Sequence, residues 1–187
     1  DPLVNLLRDP APATRRAAAW ALGRVSPNLE PAQRGSLVEN LVLALRDTAP
    51  EVRETAAASL GRTQDNRAIR PLVAALEDDS SAVRKTASEG LDGLGWKPLD
   101  TADQVNYCIA RQDWEGAVRA GPVAAHSLIR VLSSRDAVDR LSAIQVLGRT
   151  GNPEVIEPLV GALKDDNESV RIAAAAALEQ AGAPEAV

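Results

Sequence analysis

The sequence predicts an all-α protein, a right-handed α-solenoid (α-α superhelix) of about five helical pairs with one helical insertion. The first observation is an internal repeat: PLVAALEDDSSAVRKTASEGL at 71–91 and PLVGALKDDNESVRIAAAAAL at 158–178 align without a gap. The second is a composition with Ala and Leu at helical spacing, three Trp, one Tyr and no Phe. Repeats of about 20 to 50 residues with this pattern are typical of stacked helical units.

A recurring arginine sets the length of one unit. Its copies at positions 15, 53, 84, 140 and 171 stand 38, 31, 56 and 31 residues apart. One unit is therefore about 31 residues long, and the longest gap holds about 25 extra residues. We place the whole chain in a single domain of residues 1–187. The expected repeats are residues 1–27, 28–64, 65–95, 122–152 and 153–183, with a divergent helical insert at 96–121.

Each unit is expected to contain two antiparallel helices. In the third repeat, Leu72 and Leu76 fall on one side of a first helix at 100° per residue. Val83, Ala87 and Leu91 form a similar apolar stripe on a second helix, which faces the first. A single helical pair buries little surface, so we expect each pair to be stabilised by stacking on its neighbours.

Polar residues and glycines mark the expected helix boundaries. Thr48 followed by Glu51 predicts a capping box. Asp79 and Asp166 stand at the equivalent position, where a carboxylate can accept a free backbone N–H at the positive end of the helix dipole. A glycine near a helix end favours a left-handed residue that ends the helix. Four glycines stand at such places: Gly61, Gly95, Gly151 and Gly182.

The repeated text resembles the HEAT repeat, and most closely the HEAT-like repeats of the phycobilisome (PBS) lyase type. The shared cadence is P-L-[IV]-x-A-L, an acid, x-x-V-R and A-A-x-A-L-G. The resemblance implies that the recurring acid and arginine bridge neighbouring repeats as a structural ladder. In the fourth copy Ser134 replaces the acid and Asp139 replaces the valine, so we expect Arg140 to pair differently. The ladder residues are Asp9, Arg15, Asp47, Arg53, Asp78, Arg84, Arg140, Asp165 and Arg171.

The insert at 96–121 carries its own helix signals. Thr101 with Gln104 predicts a capping box that opens a helix, and this helix is expected to end at about Arg111. Asp113 caps a following short turn. The sequence leaves two interpretations of its large side chains open, a small satellite core that seals the widened joint or a ligand pocket. These side chains are Trp96, Tyr107, Ile109 and Trp114.

Composition argues against several kinds of partner. The net charge of -5 and the isoelectric point near 5.0 disfavour nucleic acid and acidic membranes. No apolar run approaches the roughly 20 residues of a membrane span.

Cys108 has no second cysteine to pair with, so we expect a cytoplasmic protein. The sequence opens on Asp1 and Pro2 at the edge of a repeat and contains no Met, which favours a fragment of a longer repeat array.

The sequence predicts no enzyme, no cofactor, no metal site and no catalytic residue. His126 is the only histidine, so the paired His-Glu iron motifs of HEAT-like deoxyhypusine hydroxylases are absent. Cys108 stands between Tyr107 and Ile109 in an apolar helix, which favours a buried structural thiol over a nucleophile. The resemblance to PBS lyase repeats keeps one alternative open, a bilin lyase or lyase subunit that acts on phycobiliproteins.

The predicted function is a protein–protein interaction scaffold that binds a protein or peptide in the concave groove of the solenoid. In HEAT-type solenoids the second helices line that face, and here positions opposite the buried stripe should point into it. Trp20 is either a partner anchor or a side chain that packs on an earlier repeat, and arginines near helix ends also suit the helix dipole. The predicted binding residues are Arg16, Trp20, Arg24, Glu54, Arg62, Lys85, Glu89, Leu141, Gln145, Arg149 and Ile172.

Overall fold

The structure, a computed structural model, describes residues 2–182. Every regular element in that stretch is a helix, and no strand occurs among these residues. The chain separates into two compact units. The first contains the described residues up to Asp78 together with Ala82–Lys97, and the second contains Asp79–Ser81 and the described residues from Pro98 onward. The prediction of an all-α chain of helical pairs is confirmed.

The first unit consists of three helical pairs, one for each of the first three repeats. In the third pair the predicted stripe is completely buried, because Val83, Ala87 and Leu91 are each 0 % exposed. Leu72 and Leu76 of the preceding helix are buried as well, so the two predicted stripes supply core side chains. The helices are α1 (Pro2–Leu6), α2 (Pro12–Val25), α3 (Pro31–Ala44), α4 (Pro50–Arg62), α5 (Ile69–Ala75) and α6 (Ser81–Gly93).

The second unit contains the insert and the last two repeats. Ile109 and Trp114 of the insert pack in the same core as Leu128 and Leu147 of the fourth repeat. The predicted separate satellite core is therefore wrong: these insert residues extend the main core of this unit, and Trp96 belongs to the first unit. The helices are α7 (Thr101–Ala110), α8 (Trp114–Arg119), α9 (Ala125–Val131), α10 (Ala137–Leu147), α11 (Ile156–Ala162) and α12 (Glu168–Gly182).

Two of the four predicted glycine helix ends adopt a left-handed backbone, whereas Gly61 and Gly182, the last residue of α12, do not. Gly95 and Gly151 have φ of 70° and 67°, as predicted for residues that end a helix. Gly61 lies inside α4, and Gln64 is the left-handed residue after that helix. A Cβ at Gly61 would lie 2.6 Å from the Cα of Gly90 in α6. Gly61 is therefore needed for a close approach of two helices.

The predicted capping box of Thr48 and Glu51 is wrong. Helix α4 begins at Pro50, so Ala49 is the residue that precedes the helix. The side chain that accepts the free backbone N–H of Ala49 belongs to Asp47, at 2.9 Å. Asp47 therefore orders the turn, while proline at the first helical position removes one N–H that would have lacked a partner.

Two more helix starts differ from the prediction by one residue. Asn167, rather than Asp166, accepts the backbone N–H of Ser169 at 3.0 Å at the start of α12. Asp100 caps α7 by accepting the N–H of Asp103, so the Thr101 capping box is also wrong. The predicted cap at Asp113 is confirmed, because its carboxylate accepts the N–H of Gly116 at 2.9 Å. The helices themselves are where the apolar periodicity predicts them.

Candidate functional site

At three joints the ladder connects a repeat to the one that follows it. Three of the recurring arginines bind the aspartate of the next repeat through both Nε and Nη2, which is the bidentate geometry that guanidinium and carboxylate groups favour. The six N–O distances lie between 2.6 and 2.8 Å, and all six side chains are largely buried. The bonds join Arg15 to Asp47, Arg53 to Asp78 and Arg140 to Asp165.

A second set of bonds explains the six-residue spacing of the recurring pair. In every repeat the arginine Nη1 donates to the backbone carbonyl of the residue six positions earlier, at 2.8 to 3.0 Å. The aspartate side chain of that earlier position is not the acceptor of this bond. The spacing therefore reflects a contact inside the repeat, and the carboxylate is left to bind the preceding repeat.

The fourth repeat keeps this arrangement, so the expectation that Arg140 pairs differently is wrong for the bond to Asp165. Arg140 does differ from Arg15 and Arg53 in one respect, because its Nη2 also donates to the carboxylate of Asp166 at 2.6 Å. Arg140 donates to the backbone carbonyl of Ser134 at 3.0 Å and to the carboxylate of Asp165 at 2.8 and 2.7 Å. The bond within the repeat needs only a carbonyl, which serine supplies as well as aspartate does. The Ser134 hydroxyl lies 3.1 Å from the carboxylate of Asp139, which is 1 % exposed at the valine position.

Two ladder carboxylates, those of Asp47 and Asp165, are held in their charged form. The hydrogen bond from Arg15 lowers the pKa of Asp47, although burial acts in the opposite direction. The hydrogen bond from Arg140 likewise lowers the pKa of Asp165 to about 2. Both charges are satisfied by arginines that are themselves largely buried. These carboxylates therefore act in stability rather than as acids or bases.

An open groove of about 620 Å³ lies on the first unit across α2, α4 and α6. Its lining includes five of the predicted binding residues, and we call it the first-unit groove. The lining residues are Ala13, Arg16, Ala17, Trp20, Glu51, Glu54, Thr55, Ala58, Arg62, Thr86 and Glu89.

Trp20 supplies the largest apolar surface in the first-unit groove. It is 52 % exposed, whereas Ala19 and Leu22 of the same helix are buried, so the indole lies on the side of α2 away from the core. The guanidinium carbon of Arg24 lies 5.3 Å from the centroid of the ring, within range of a cation–π contact. Arg24 therefore contacts the indole, while half of the Trp20 surface stays open to a partner.

Charged side chains of both signs surround this indole. Glu51, Glu54 and Glu89 carry negative charge, and Arg16 and Arg62 carry positive charge. All five side chains are exposed. A lining of mixed sign gives no field that selects polyanions such as nucleic acid.

The predicted binding residues of the second unit have different surroundings. Leu141 is half-buried and packs against the core, while Gln145 is exposed and Ile172 is 64 % exposed. Arg149 donates to the carboxylate of Glu115 on α8 at 2.9 Å, and this bond lowers the pKa of Glu115. The guanidinium of Arg149 is thus engaged by the insert. A binding role for these four residues stays a prediction.

Three polar residues of the first-unit groove are not among the predicted binding residues. Glu51, Thr55 and Thr86 line it, although the predicted face included only residues two, six and ten positions after the recurring valine. Thr55 and Thr86 each stand two residues after a ladder arginine, and this repeated position was the signal available. Lys85, which was predicted, is exposed beside Thr86 but is not among the lining residues.

The side chains most often used in metal sites and in nucleophilic catalysis lie apart from one another or are buried in the described residues. Within residues 2–182, no group of three or more His, Cys, Asp or Glu side chains is placed to hold a metal ion. Cys108 is buried, with the side-chain amide of Gln104 at 3.3 Å, whereas His126 is exposed. None of the helices in the same stretch has the length and apolar character needed to cross a membrane.

Several solved structures are similar to this chain at low identity. Human deoxyhypusine hydroxylase is 21 % identical with a TM-score of 0.43, over 97 % of this chain and 73 % of that one. The CpcE and CpcF complex of phycocyanin lyase from Nostoc is 19 % identical with a TM-score of 0.45, over 96 % and 93 %. Computationally designed armadillo repeat proteins for modular peptide recognition are 23 % identical with a TM-score of 0.39, over 96 % and 80 %. At this level the likeness carries no argument about activity. The comparison with curated proteins gave no match.

The family assignment comes from the repeats themselves. The family model described as HEAT repeats matches residues 1–92 and 125–187, well over half of the chain. The stretch between the two matches contains the predicted insert at 96–121, so α7 and α8 are the part that departs from the repeat. This confirms the HEAT resemblance. The chain belongs to the HEAT-repeat family.

Proposed function

We propose that this protein is a non-enzymatic scaffold that binds an extended peptide segment of a partner protein in the first-unit groove. The observation that carries the proposal is the composition of that groove. Three consecutive second helices, α2, α4 and α6, bring five separately predicted residues to one open surface around a half-exposed tryptophan. A surface of this kind suits an extended chain that runs across several repeats.

The lining supports one kind of partner segment. Trp20 provides a flat apolar surface for one large apolar side chain, and tryptophan is among the residues that dominate binding energy at interfaces. Ion pairs are available to both signs of charge. Arg62 at the end of α4 can bind an acidic side chain, and Glu54 near the start of α4 and Glu89 on α6 can bind basic ones. We therefore expect a segment with one large apolar residue flanked by an acidic and a basic residue.

The groove is also held in shape before a partner arrives. The ladder bonds from Arg15 to Asp47 and from Arg53 to Asp78 fix α2, α4 and the start of α6 relative to one another. A preformed surface lowers the entropy cost of binding, and Trp20 has few rotamers to lose. The ladder thus supports binding without contacting the partner.

Peptide selection tests the proposal directly. We would select binders from a random-peptide display library on the full chain and measure their affinity for wild type and for Trp20→Ala. Loss of the anchor is expected to weaken binding by about thirtyfold, since truncated anchor residues cost about 2 kcal/mol. Arg62→Glu should weaken binding most for peptides whose only charged residue is acidic. Peptides that carry a basic residue should lose less affinity.

Leu99→Ala is the matched control, because Leu99 is 86 % exposed and is not part of the groove lining. Its affinity for the selected peptides should equal that of wild type. Selected peptides that bind Trp20→Ala as tightly as wild type would remove the groove from the proposed function.

A further inference from the structure

Another open surface of the first unit lies on first helices, between the second and third repeats. It is a cleft of about 350 Å³ against the end of α3 and the length of α5, and we call it the α3–α5 cleft. Val42, Leu45 and Pro71 are half-buried, so each keeps apolar surface that a partner can cover. The apolar lining residues are Val42, Leu45, Pro71, Ala74 and Ala75.

The second unit contains an equivalent cleft against α9 and α11. It has a volume of about 290 Å³, and six of its lining residues occupy the repeat positions that line the α3–α5 cleft. Each cleft lies inside one unit, between two adjacent repeats, so the stacking of first helices produces it. The six equivalent residues are Ile129, Leu132, Pro158, Gly161, Ala162 and Asp165.

Two arginines distinguish the α3–α5 cleft from its equivalent. Arg46 follows α3 and Arg70 lies in the first turn of α5, and both residues line the cleft and are exposed. Within residues 2–182, neither guanidinium takes part in an ion pair or a hydrogen bond. The corresponding positions of the fourth and fifth repeats hold Ser133 and Glu157. The two clefts therefore share apolar walls and differ in charge.

The carboxylate that lines the α3–α5 cleft does not balance these two charges. Asp78 accepts hydrogen bonds from Nε and Nη2 of Arg53 at 2.8 and 2.7 Å, and its side chain is only 12 % exposed. Its charge is thus neutralised within the ladder. Two exposed guanidinium groups border apolar walls, and this arrangement is complementary to a carboxylate that stands next to an apolar group.

We infer that the α3–α5 cleft binds a segment of a partner protein in which an acidic residue stands beside a leucine-sized apolar residue. The apolar side chain covers Val42, Leu45 and Pro71, and the carboxylate pairs with Arg46 and Arg70. Small-molecule sites enclose about 70 to 90 % of their ligand, whereas this cleft is open to solvent, which favours a side chain that projects from a larger partner.

This binding site is independent of the first-unit groove. The α3–α5 cleft is formed by first helices, whereas the first-unit groove is formed by the second helices α2, α4 and α6. The two sites also differ in chemistry, since Arg46 and Arg70 are the exposed charges of the cleft and the groove has exposed charges of both signs. A partner segment without a basic residue suits the cleft.

Selection from a peptide display library on the Trp20→Ala chain tests the inference without the anchor of the first-unit groove. The library fixes glutamate next to leucine and randomises the flanking positions. Selected peptides should bind wild type and Trp20→Ala with equal affinity. Arg46→Glu combined with Arg70→Glu should weaken binding at least about tenfold, because carboxylates of both molecules then meet in the cleft. Glutamine in place of the fixed glutamate of the peptide should weaken its binding to wild type.

The matched control reverses two other exposed cations of the first unit. Arg8→Glu combined with Lys97→Glu changes the net charge by the same amount, and neither residue lines the cleft. Its affinity for the selected peptides should stay within about twofold of wild type, because salt screens charges that lie more than about 10 Å apart. Circular dichroism verifies that both double variants keep their helices.

Four results would overturn the inference. The first is a library that yields no peptide enriched on Trp20→Ala over the same chain with the Arg46 and Arg70 reversals. The second is a set of selected peptides that bind the folded reversal variant as tightly as wild type. The third is an equal loss of affinity in the matched control. The fourth is displacement of a selected peptide by octanoate at equal concentration, since the cleft would then be a site for a small amphiphile.

Discussion

At the scale of single residues, one arginine makes two contacts that hold a repeat to itself and to its neighbour. Arg53 binds a carbonyl of its own turn at Asp47 and the carboxylate of Asp78 in the next repeat. The first contact stabilises the turn, and the second fixes the spacing of adjacent helical pairs. A charged pair that is this buried is favourable only because nearly every donor and lone pair has a partner.

The ladder bond at Arg53 should be a large contributor to stability. Arg53→Gln is expected to lower the free energy of unfolding by about 2 to 3 kcal/mol, because Asp78 keeps its buried charge and loses its partner. Arg46→Gln is the control, since Arg46 is exposed beyond the end of α3, and it should change stability by less than about 0.5 kcal/mol. Urea unfolding of both variants measures the difference, and equal losses would contradict the role of the ladder.

The ladder should also make the fold sensitive to acid. The pKa of Asp165 in the folded chain is about 2, below its ordinary value, because Arg140 stabilises the carboxylate. The unfolded chain therefore takes up the proton first, so this stabilisation is complete above about pH 4 and is lost as the pH falls toward 2. The urea midpoint of wild type should fall between pH 6 and pH 3.

Asp165→Asn isolates this contribution, because the amide does not titrate. The drop in its urea midpoint between pH 6 and pH 3 should be smaller than that of wild type, while Glu39→Gln, at an exposed carboxylate outside the ladder, should behave like wild type. An equal drop in wild type and Asp165→Asn would show that the Asp165 pair does not contribute to acid sensitivity.

At the scale of elements, the packing of second helices depends on glycine at chosen positions. A Cβ at Gly61 would lie 2.6 Å from a backbone atom of Gly90, and backbone cannot move aside as a side chain can. Gly61 stands eight residues after the ladder arginine of its helix. In α6 and α12, the final helices of the two units, that position holds an acid, Asp92 and Glu179, and both side chains are exposed. The glycine thus marks where another second helix follows closely within the same unit.

Gly61→Ala is expected to destabilise the chain by about 1 to 2 kcal/mol, because the steric cost exceeds the gain in helix propensity. Gly161→Ala is the matched control in α11, since a Cβ there would meet nothing within 4 Å. It should stabilise by about 0.5 to 1 kcal/mol through helix propensity alone. Thermal unfolding compares the two, and a stabilising Gly61→Ala would refute the close helix contact.

The helices and their buried stripes could be predicted because apolar periodicity is repeated in every copy. The caps could not be predicted to the residue, since the capping side chain depends on where the preceding turn ends. Asn167 and Asp100 each stand next to the residue that the pattern selected. The six-residue spacing alone suggests that Asp47 pairs with Arg53. In the structure the carboxylate of Asp47 instead binds Arg15 of the preceding repeat.

At the scale of the whole molecule, the chain consists of two compact units, and the insert belongs to the second. Ile109 could be predicted as buried, but its place in the main core depends on contacts between distant segments that no local pattern contains. The expectations of one domain and one continuous binding face stay predictions. Five predicted residues do meet in a groove that lies wholly on the first unit.

Site-specific photo-crosslinking tests the central claim, that the first-unit groove is the binding surface. A benzophenone amino acid would replace Glu54 in the groove or Glu39 on α3, both exposed glutamates of the first unit, of which only Glu54 lines the groove. After irradiation with a library-selected peptide, mass spectrometry should find the peptide attached at position 54 and not at position 39. Attachment at position 39 alone, or equal attachment at both positions, would contradict the claim.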